Sequence, residues 1–208
     1  MSPQTLRKAA VHLKQGDSRL AAVVERVGPC RIKFADPTFP ELVRAIVYQQ
    51  LNGKAAASIH ARFEAACGRS GVTPKSILRL DVDGLRANGI SPQKASYMLD
   101  LAAHTAAKRL NFSRLPRLAD EDVIAQLTQV KGVGVWTAHM FLMFSLRRPN
   151  ILPVGDYGVR AAVQKLYGLP EMPKPPEMER IAAPWAPWCT VASWYLWRSL
   201  EPGNMPEE

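Results

Sequence analysis

Residues 127–160, LTQVKGVGVWTAHMFLMFSLRRPNILPVGDYGVR, are the most informative part of the sequence, because a turn with two glycines, a tryptophan and an isolated carboxylate follow one another at fixed distances. Just before it, apolar residues at 123, 124 and 127 share one face of a helix. Lys131-Gly132-Val133-Gly134 then interrupts that helix with two glycines, which can adopt left-handed conformations. A second helix is expected to start near Val135. The stretch therefore predicts a tight helical hairpin.

A turn this tight leaves backbone N–H groups at the start of the second helix without partners, and they form a small positive cradle suited to a phosphate. Lys131 adds a point charge beside the turn. An ordinary helical hairpin with a glycine turn gives the same local pattern, since short glycine motifs are common. The hairpin alone leaves both interpretations open.

The composition indicates a folded, basic protein. Of the 208 residues, 47% are hydrophobic, enough to bury the core of one compact unit or of two small lobes. Lys and Arg number 27 against 18 Asp and Glu, which gives a net charge of +9. This excess favours a polyanionic partner, and a solvated basic face is the alternative.

Nothing in the sequence predicts export or membrane insertion. Residues 1–14 mix polar and charged side chains, unlike a secretory signal, and the longest apolar run, 135–146, is too short for a membrane span. Cys30, Cys67 and Cys189 are odd in number and lack a C-x-x-C motif, so neither a disulfide framework nor a zinc site is expected. We expect a cytoplasmic protein, associated with the nucleoid in a bacterium or nuclear in a eukaryote.

Helical periodicity dominates and strand signals are almost absent, so the sequence predicts an all-α protein. Two apolar faces at helical spacing consist of Ala55, Ile59, Phe63 and Ala66, and of Ala95, Met98, Leu99, Ala102 and Ala106. Gly and Pro clusters separate short helices. Residues 169–176, which include four prolines, are expected to form an extended linker.

Several motifs together resemble the helix-hairpin-helix DNA glycosylases, specifically the alkylpurine (3-methyladenine type II) branch. The matching segments are IVYQQLNGKAAASIHARF at 46–63, GISPQKASYMLDLA at 89–102, KGVGVWTA at 131–138, PVGDYGVR at 153–160 and WAPWCTVASWYLWR at 185–198. They cover most of the chain.

The resemblance implies a two-lobed helical helix-hairpin-helix glycosylase fold with a central cleft. Residues 36–149 would form a central helical lobe that includes the hairpin, and residues 1–35 plus 150–208 a second lobe. We expect this chain to lack the extra β-rich N-terminal domain of larger relatives. Some relatives carry a four-cysteine iron–sulfur loop, which three scattered cysteines cannot supply.

Asp156 precedes a predicted helix, where aspartate is a normal N-cap. In the family the catalytic aspartate occupies this position, 20 residues beyond Trp136. Breaking an N-glycosidic bond moves positive charge onto the sugar, and a fixed carboxylate stabilises that charge and can orient a water. A purine alkylated at N3 or N7 is already cationic and leaves as a neutral molecule, so no general acid is needed. Capping and catalysis are the alternatives at this residue.

Trp136 occupies the position at which bifunctional relatives carry the lysine that attacks C1′. Lys131 lies before the first glycine of the hairpin and is no substitute. The resemblance therefore implies a monofunctional glycosylase that leaves an abasic site.

The resemblance also implies a base pocket. Trp136 and Trp197 match positions at which the family stacks the flipped base, and an indole face attracts a cationic alkylbase more than a neutral base. Met140 stands where some relatives have an aromatic residue, and Gln49 is expected to line the same pocket.

Two further tryptophans, Trp185 and Trp188, are expected to pack in the core rather than to bind a base. His139 has no ligand or triad partner at a recognisable spacing and is expected to be structural. Cys189 replaces the arginine that the family usually has after the second of these tryptophans, so a phosphate or helix contact is expected to be lost.

The expected DNA-binding residues lie in two turns. Leu51 matches the family's wedge, an apolar side chain that fills the hole left by a flipped base, and a buried Leu51 is the alternative. The whole set consists of Gln50, Leu51, Asn52, Lys131, Gly132, Val133, Gly134 and Thr137.

The sequence thus predicts a monofunctional DNA glycosylase that excises alkylated purines by base flipping and hydrolysis. The expected substrate is 3-methyladenine, with 7-methylguanine and 1-methyladenine as further candidates. Its partner would be double-stranded DNA containing alkylated bases, bound by a monomer away from any membrane. No cofactor is expected, apart from a monovalent cation that hairpin backbone carbonyls could hold. The alternatives are a non-catalytic hairpin module that binds damaged or distorted DNA, and a glycosylase/lyase for oxidised bases, against which Trp136 argues.

Overall fold

The computed structural model describes residues 1–205, and over these residues it contains eleven α-helices and no β-strand. The helices are α1 (Pro3–Gly16), α2 (Ser18–Val27), α3 (Phe39–Tyr48), α4 (Gly53–Cys67), α5 (Pro74–Ala87), α6 (Pro92–Ala106), α7 (Asp120–Leu127), α8 (Val135–Phe144), α9 (Tyr157–Tyr167), α10 (Pro175–Ala182) and α11 (Cys189–Ser199). The all-α prediction is confirmed. None of the helices in this part of the chain is long and apolar enough to cross a membrane.

The chain divides into two compact units. The central unit comprises Ala35–Leu146, and the terminal unit comprises Met1–Phe34 together with the chain from Arg147 onward. The sequence predicts divisions after residues 35 and 149, and the units divide after 34 and 146.

The terminal unit is built on a core shared by α1, α2, α9, α10 and α11. Trp185 is fully buried in it, as predicted, and its Nε1 donates a hydrogen bond of 2.7 Å to Asp17 Oδ2. Trp188 is partly buried and packs against the same core. These two tryptophans therefore support the scaffold.

In the central unit, the buried faces of the helices differ in detail from the predicted ones. On α4 the fully buried residues are Ala56, Phe63 and Cys67, because the apolar face is rotated by about one residue from the predicted one. On α6, Leu101 is fully buried although the pattern omits it, and the predicted core residue Ala106 is exposed at the end of the helix.

The hairpin is formed by α7 and α8, and α8 begins at Val135 as predicted. Gly132 has φ +75°, a left-handed conformation that favours glycine. Gly134 has φ −88° and ψ 176°, an extended conformation, and is the N-cap of α8. Both glycines can adopt a left-handed conformation, and Gly132 is the one that does, because the N-cap position of Gly134 requires extended backbone.

The prediction of an extended linker over residues 169–176 is wrong at its C-terminal end. Helix α10 begins at Pro175, and proline occupies its first positions. Proline suits the first turn of a helix, since the N–H that it lacks would have no partner there.

Candidate functional site

Asp156 is the N-cap of α9, and its carboxylate is held from two directions. Oδ1 accepts a hydrogen bond of 2.8 Å from the Val159 N–H, in its own helix. It accepts a second, also of 2.8 Å, from Nε1 of Trp197 on α11. The residue is only 7% exposed. The carboxylate is therefore a cap, and it is also oriented by an indole from a helix distant in sequence.

Gly158 allows this contact, and it is not among the site residues predicted from the sequence. A Cβ at Gly158 would lie 3.0 Å from Cδ1 of Trp197 and 3.3 Å from Oδ1 of Asp156. Such distances are too short for the neighbours to keep their places. A glycine two residues after a candidate catalytic aspartate was the available signal. The sequence predicts that Trp197 stacks the flipped base. The structure shows a further role for its indole, which orients the carboxylate of Asp156.

The hairpin turn, residues 130–134, uses part of its own backbone donors. The Lys131 N–H donates to Asp100 Oδ2 at 2.9 Å, and the Val133 N–H donates to Val130 O at 3.1 Å. Gly134, the N-cap of α8, has no side chain with which to cap the helix. The helix N-terminus therefore keeps the character of an anion cradle, and the Lys131 side chain beside it is exposed.

The turn at residues 49–52 presents an apolar side chain to solvent. Gln50 has φ +55°, which is uncommon outside glycine, and Leu51 is 39% exposed. Asn52 then caps α4 by accepting a hydrogen bond of 2.9 Å from the Ala55 N–H. The alternative that Leu51 is buried is wrong.

The central unit contains an open pocket of about 680 Å³ that brings together three of the four predicted base-pocket residues, and the fourth, Trp197, is not among its lining residues. Trp136 is 48% exposed at its edge, and Thr137, predicted to bind DNA, is a buried lining residue. The lining includes Gln49, Gln50, Trp136 and Met140, and also Tyr48 and Tyr97, which the sequence analysis missed. The two tyrosines come from α3 and α6, which are distant in sequence from Trp136. Their place in the same pocket is therefore visible only in the folded structure. A larger pocket of about 770 Å³ in the terminal unit contains none of the predicted site residues.

Gln49, the first residue of the 49–52 turn, also contacts the hairpin turn. It lines the pocket, and its Nε2 donates a hydrogen bond of 3.0 Å to Gly132 O in the hairpin turn. The Lys94 ammonium donates to Gln49 O at 2.7 Å. The 49–52 turn and the hairpin turn are thereby joined inside the central unit.

Burial shifts the pKa of one titratable group on each of α6, α8 and α11. Partial burial lowers the pKa of Lys94, and partial burial also lowers the pKa of His139 on α8. Burial raises the pKa of Cys189 to about 11, so a neutral thiol stands where the family usually has arginine. No group of three or more His, Cys, Asp or Glu residues suited to a metal ion occurs within residues 1–205.

Comparisons with known proteins agree on one family. Residues 43–187 match the family model described as "HhH-GPD superfamily base excision DNA repair protein". The chain is 34% identical to DNA-3-methyladenine glycosylase 1 of Schizosaccharomyces pombe, over 94% of this chain and 88% of that protein. It is 37% identical to the putative DNA-3-methyladenine glycosylase YfjP of Bacillus subtilis, over 77% of this chain, and the match spans 58% of that relative.

Solved structures agree with the sequence matches. The 3-methyladenine DNA glycosylase Mag1 of S. pombe, solved in complex with abasic DNA, superposes with a TM-score of 0.82 at 33% identity and covers 96% of this chain and 100% of that one. A DNA-3-methyladenine glycosidase from Bacillus halodurans gives 0.81 at 37% identity, over 92% of this chain and 88% of that one.

Proposed function

The chain belongs to the HhH-GPD superfamily of base excision DNA repair proteins, and we propose that it is a monofunctional DNA glycosylase that excises alkylated purines. One observation carries the proposal. Asp156, at the family's catalytic position, is a buried carboxylate whose Oδ1 is oriented by the Val159 N–H and the Trp197 indole. A carboxylate oriented in this way is suited to stabilising a cation on the sugar.

The reaction is hydrolysis of the N-glycosidic bond. The bond between C1′ and the purine nitrogen breaks, and its electron pair leaves with the base. Because a purine alkylated at N3 or N7 starts as a cation, it departs neutral without a proton from the protein. Asp156 stabilises the positive charge that develops on the sugar, a water oxygen bonds to C1′, and the water releases its extra proton to solvent.

The pocket of the central unit supports the choice of alkylated purines. Tyr48, Tyr97 and Trp136 supply aromatic surface there, and Met140 supplies a polarisable thioether. Aromatic faces attract a cationic base more strongly than a neutral one. Selection by charge favours 3-methyladenine as the substrate and admits 7-methylguanine and 1-methyladenine as further candidates.

DNA binding uses the two turns. Lys131 and the N-terminus of α8 contact phosphates without reading sequence. Leu51 fills the hole that a flipped base leaves in the stack. The protein acts as a monomer on double-stranded DNA, in the cytoplasm of a bacterium or the nucleus of a eukaryote.

We also propose that backbone carbonyls of the hairpin turn hold a monovalent cation. Gly132 O already accepts a hydrogen bond from Gln49, so an ion bound there would share that oxygen. Replacing potassium by a bulky organic cation at constant ionic strength should weaken DNA affinity if such an ion is bound.

The test is to incubate the protein with methylated duplex DNA and to identify the free bases by chromatography. We expect release of 3-methyladenine at the highest rate and no release from undamaged DNA. Binding to damaged DNA without release of any base would instead support the non-catalytic module. Borohydride should trap no covalent complex, because no amine occupies the Trp136 position. A trapped adduct would contradict the monofunctional assignment.

A further inference from the structure

Helix α6 presents three polar or aromatic side chains, Lys94, Tyr97 and Asp100, at a spacing of three residues. Residues three apart lie near one another on a helix surface. Each of the three contacts a turn that lies outside α6. One face of α6 therefore serves two turns of the central unit.

Lys94 contacts the end of α3. Its Nζ donates hydrogen bonds of 2.8 Å to Val47 O and 2.7 Å to Gln49 O. Carbonyls at a helix C-terminus lack partners within their helix and carry partial negative charge. Helix α3 has no basic residue in its last turn, so the cation that caps it comes from another helix.

The position of Lys94 within α6 strengthens this interpretation. Lys94 lies in the first turn of α6, where the helix dipole opposes a positive charge. Its ammonium is also partly buried, which lowers its pKa. The charge therefore stabilises the end of α3 rather than α6.

The chain reverses direction immediately after this cap. Gln49 leaves the helix with φ −53° and ψ 132°, and Gln50 follows with φ +55°. Left-handed backbone at a residue other than glycine persists where its surroundings hold it. Lys94 holds the carbonyl just before Gln50, and the next side chain is the exposed Leu51.

The other two residues hold the hairpin turn. A Cβ at Gly132 would lie 2.0 Å from the Tyr97 ring, so ring and turn are in close contact. Asp100 Oδ2 accepts a hydrogen bond of 2.9 Å from the Lys131 N–H. Both turns are thus fixed to one helix face.

We propose that Lys94 is a positioning residue for the wedge: its ammonium fixes the 49–52 turn and so determines how well Leu51 enters a base-paired duplex. The inference rests on the proposed function and extends it to a residue that lines the pocket of the central unit and whose ammonium is bound to two backbone carbonyls.

The experiment compares excision from two substrates that carry the same alkylated purine. In one the lesion is paired in duplex DNA, and in the other it lies in an unpaired bulge, where the stack is already open. We expect Lys94→Met to lower single-turnover excision about tenfold from paired DNA and less than about threefold from the bulge, because only the paired site needs the wedge. The matched control is Lys75→Met, which removes the same charge from an exposed position on α5 and should leave the ratio of the two rates unchanged.

A double-mutant cycle shows whether Lys94 acts through Leu51. If it does, adding Lys94→Met to Leu51→Ala causes little further loss on paired DNA, because the wedge is already absent. Losses that simply add, or an equal loss on paired and bulged substrates, overturn the proposal.

A conservative variant guards against a folding defect. Lys94→Arg keeps a cation that can donate to both carbonyls and should retain paired excision within about threefold of wild type. If Lys94→Arg loses as much as Lys94→Met while its melting temperature matches wild type, the ammonium contact is not the cause and the proposal fails.

A measurement without excision separates this inference from the proposed function. In a duplex with 2-aminopurine next to a stable abasic-site analogue, wild-type protein should raise the fluorescence by disturbing the stack, and Lys94→Met should raise it less. If wild type releases no base but this difference remains, the proposed activity fails and the positioning role stands. If wild type releases base and the two proteins give equal fluorescence, the positioning role fails alone.

Discussion

Asp156 in the terminal unit, the proposed catalytic carboxylate, and Leu51 in the central unit, the proposed wedge, are held by the fold in different ways. Asp156 is 7% exposed, and side-chain hydrogen bonds orient its oxygen. Leu51 is 39% exposed, and the backbone of its turn determines where it lies. A carboxylate that stabilises charge at one atom needs its side chain held in position. An apolar side chain that fills a gap in DNA needs the backbone of its turn held in position. Variants at the two residues should therefore differ in which measurement shows the loss.

The largest effect is expected for the buried Asp156. Asp156→Asn should lower single-turnover excision roughly a hundredfold or more, because the amide has no charge to stabilise the developing cation. Asparagine caps a helix about as well as aspartate, and its oxygen can accept both observed hydrogen bonds. Melting temperature and affinity for damaged DNA should stay close to wild type. A folded variant with near-normal excision would return Asp156 to the role of a cap alone.

The two hairpin glycines allow a sharper test of backbone placement. Gly132→Ala should destabilise the protein by about 2 kcal/mol or more, because its φ is positive and the new Cβ would collide with Tyr97. Gly134→Ala is the matched control, since its φ is negative and no atom lies within 4 Å of the new Cβ. Thermal melts of the two variants measure the difference. Equal melting temperatures would contradict the described geometry of the hairpin turn.

At the exposed Leu51, the expected loss of excision depends on the substrate. Leu51→Ala should lower excision from paired duplex about tenfold and affect mismatched sites far less, because a loosely stacked base needs little help to leave the helix. Comparison of the two rates in single-turnover assays measures this. Equal losses with an unchanged melting temperature would remove the wedge role from Leu51.

The smallest effect is expected for phosphate contact. Affinity for undamaged duplex should fall steeply with salt, and Lys131→Met should reduce the slope of log K against log salt by about one, as expected for one lost phosphate contact. Lys75→Met, an exposed lysine of the same unit, is the control. A slope that does not change for Lys131→Met would place the phosphate contacts elsewhere.

Most of the fold could be predicted because it depends on local pattern. Apolar residues at helical spacing predicted the all-α class, and the Lys131–Gly134 segment located the start of α8 at Val135. The cap at Asp156 was equally readable, since capping involves only residues within one turn. The errors were local too. The pattern misplaces the buried face of α4 because neighbouring alanines fit either side of the helix. It does not predict α10 because prolines are typical both of a linker and of the first turn of a helix.

The candidate residues can be identified from the amino-acid sequence: a carboxylate at the family's catalytic position, a hairpin with glycines and an apolar residue in a turn. How these residues are held depends on the packing of helices that are distant in sequence. The indole of Trp197 reaches Asp156 across 41 residues, Gln49 reaches Gly132 across 83, and Lys94 reaches Gln49 across 45. Periodicity shows which face of each helix is buried. It does not show which helix that face packs against, and these hydrogen bonds form only where two particular faces meet.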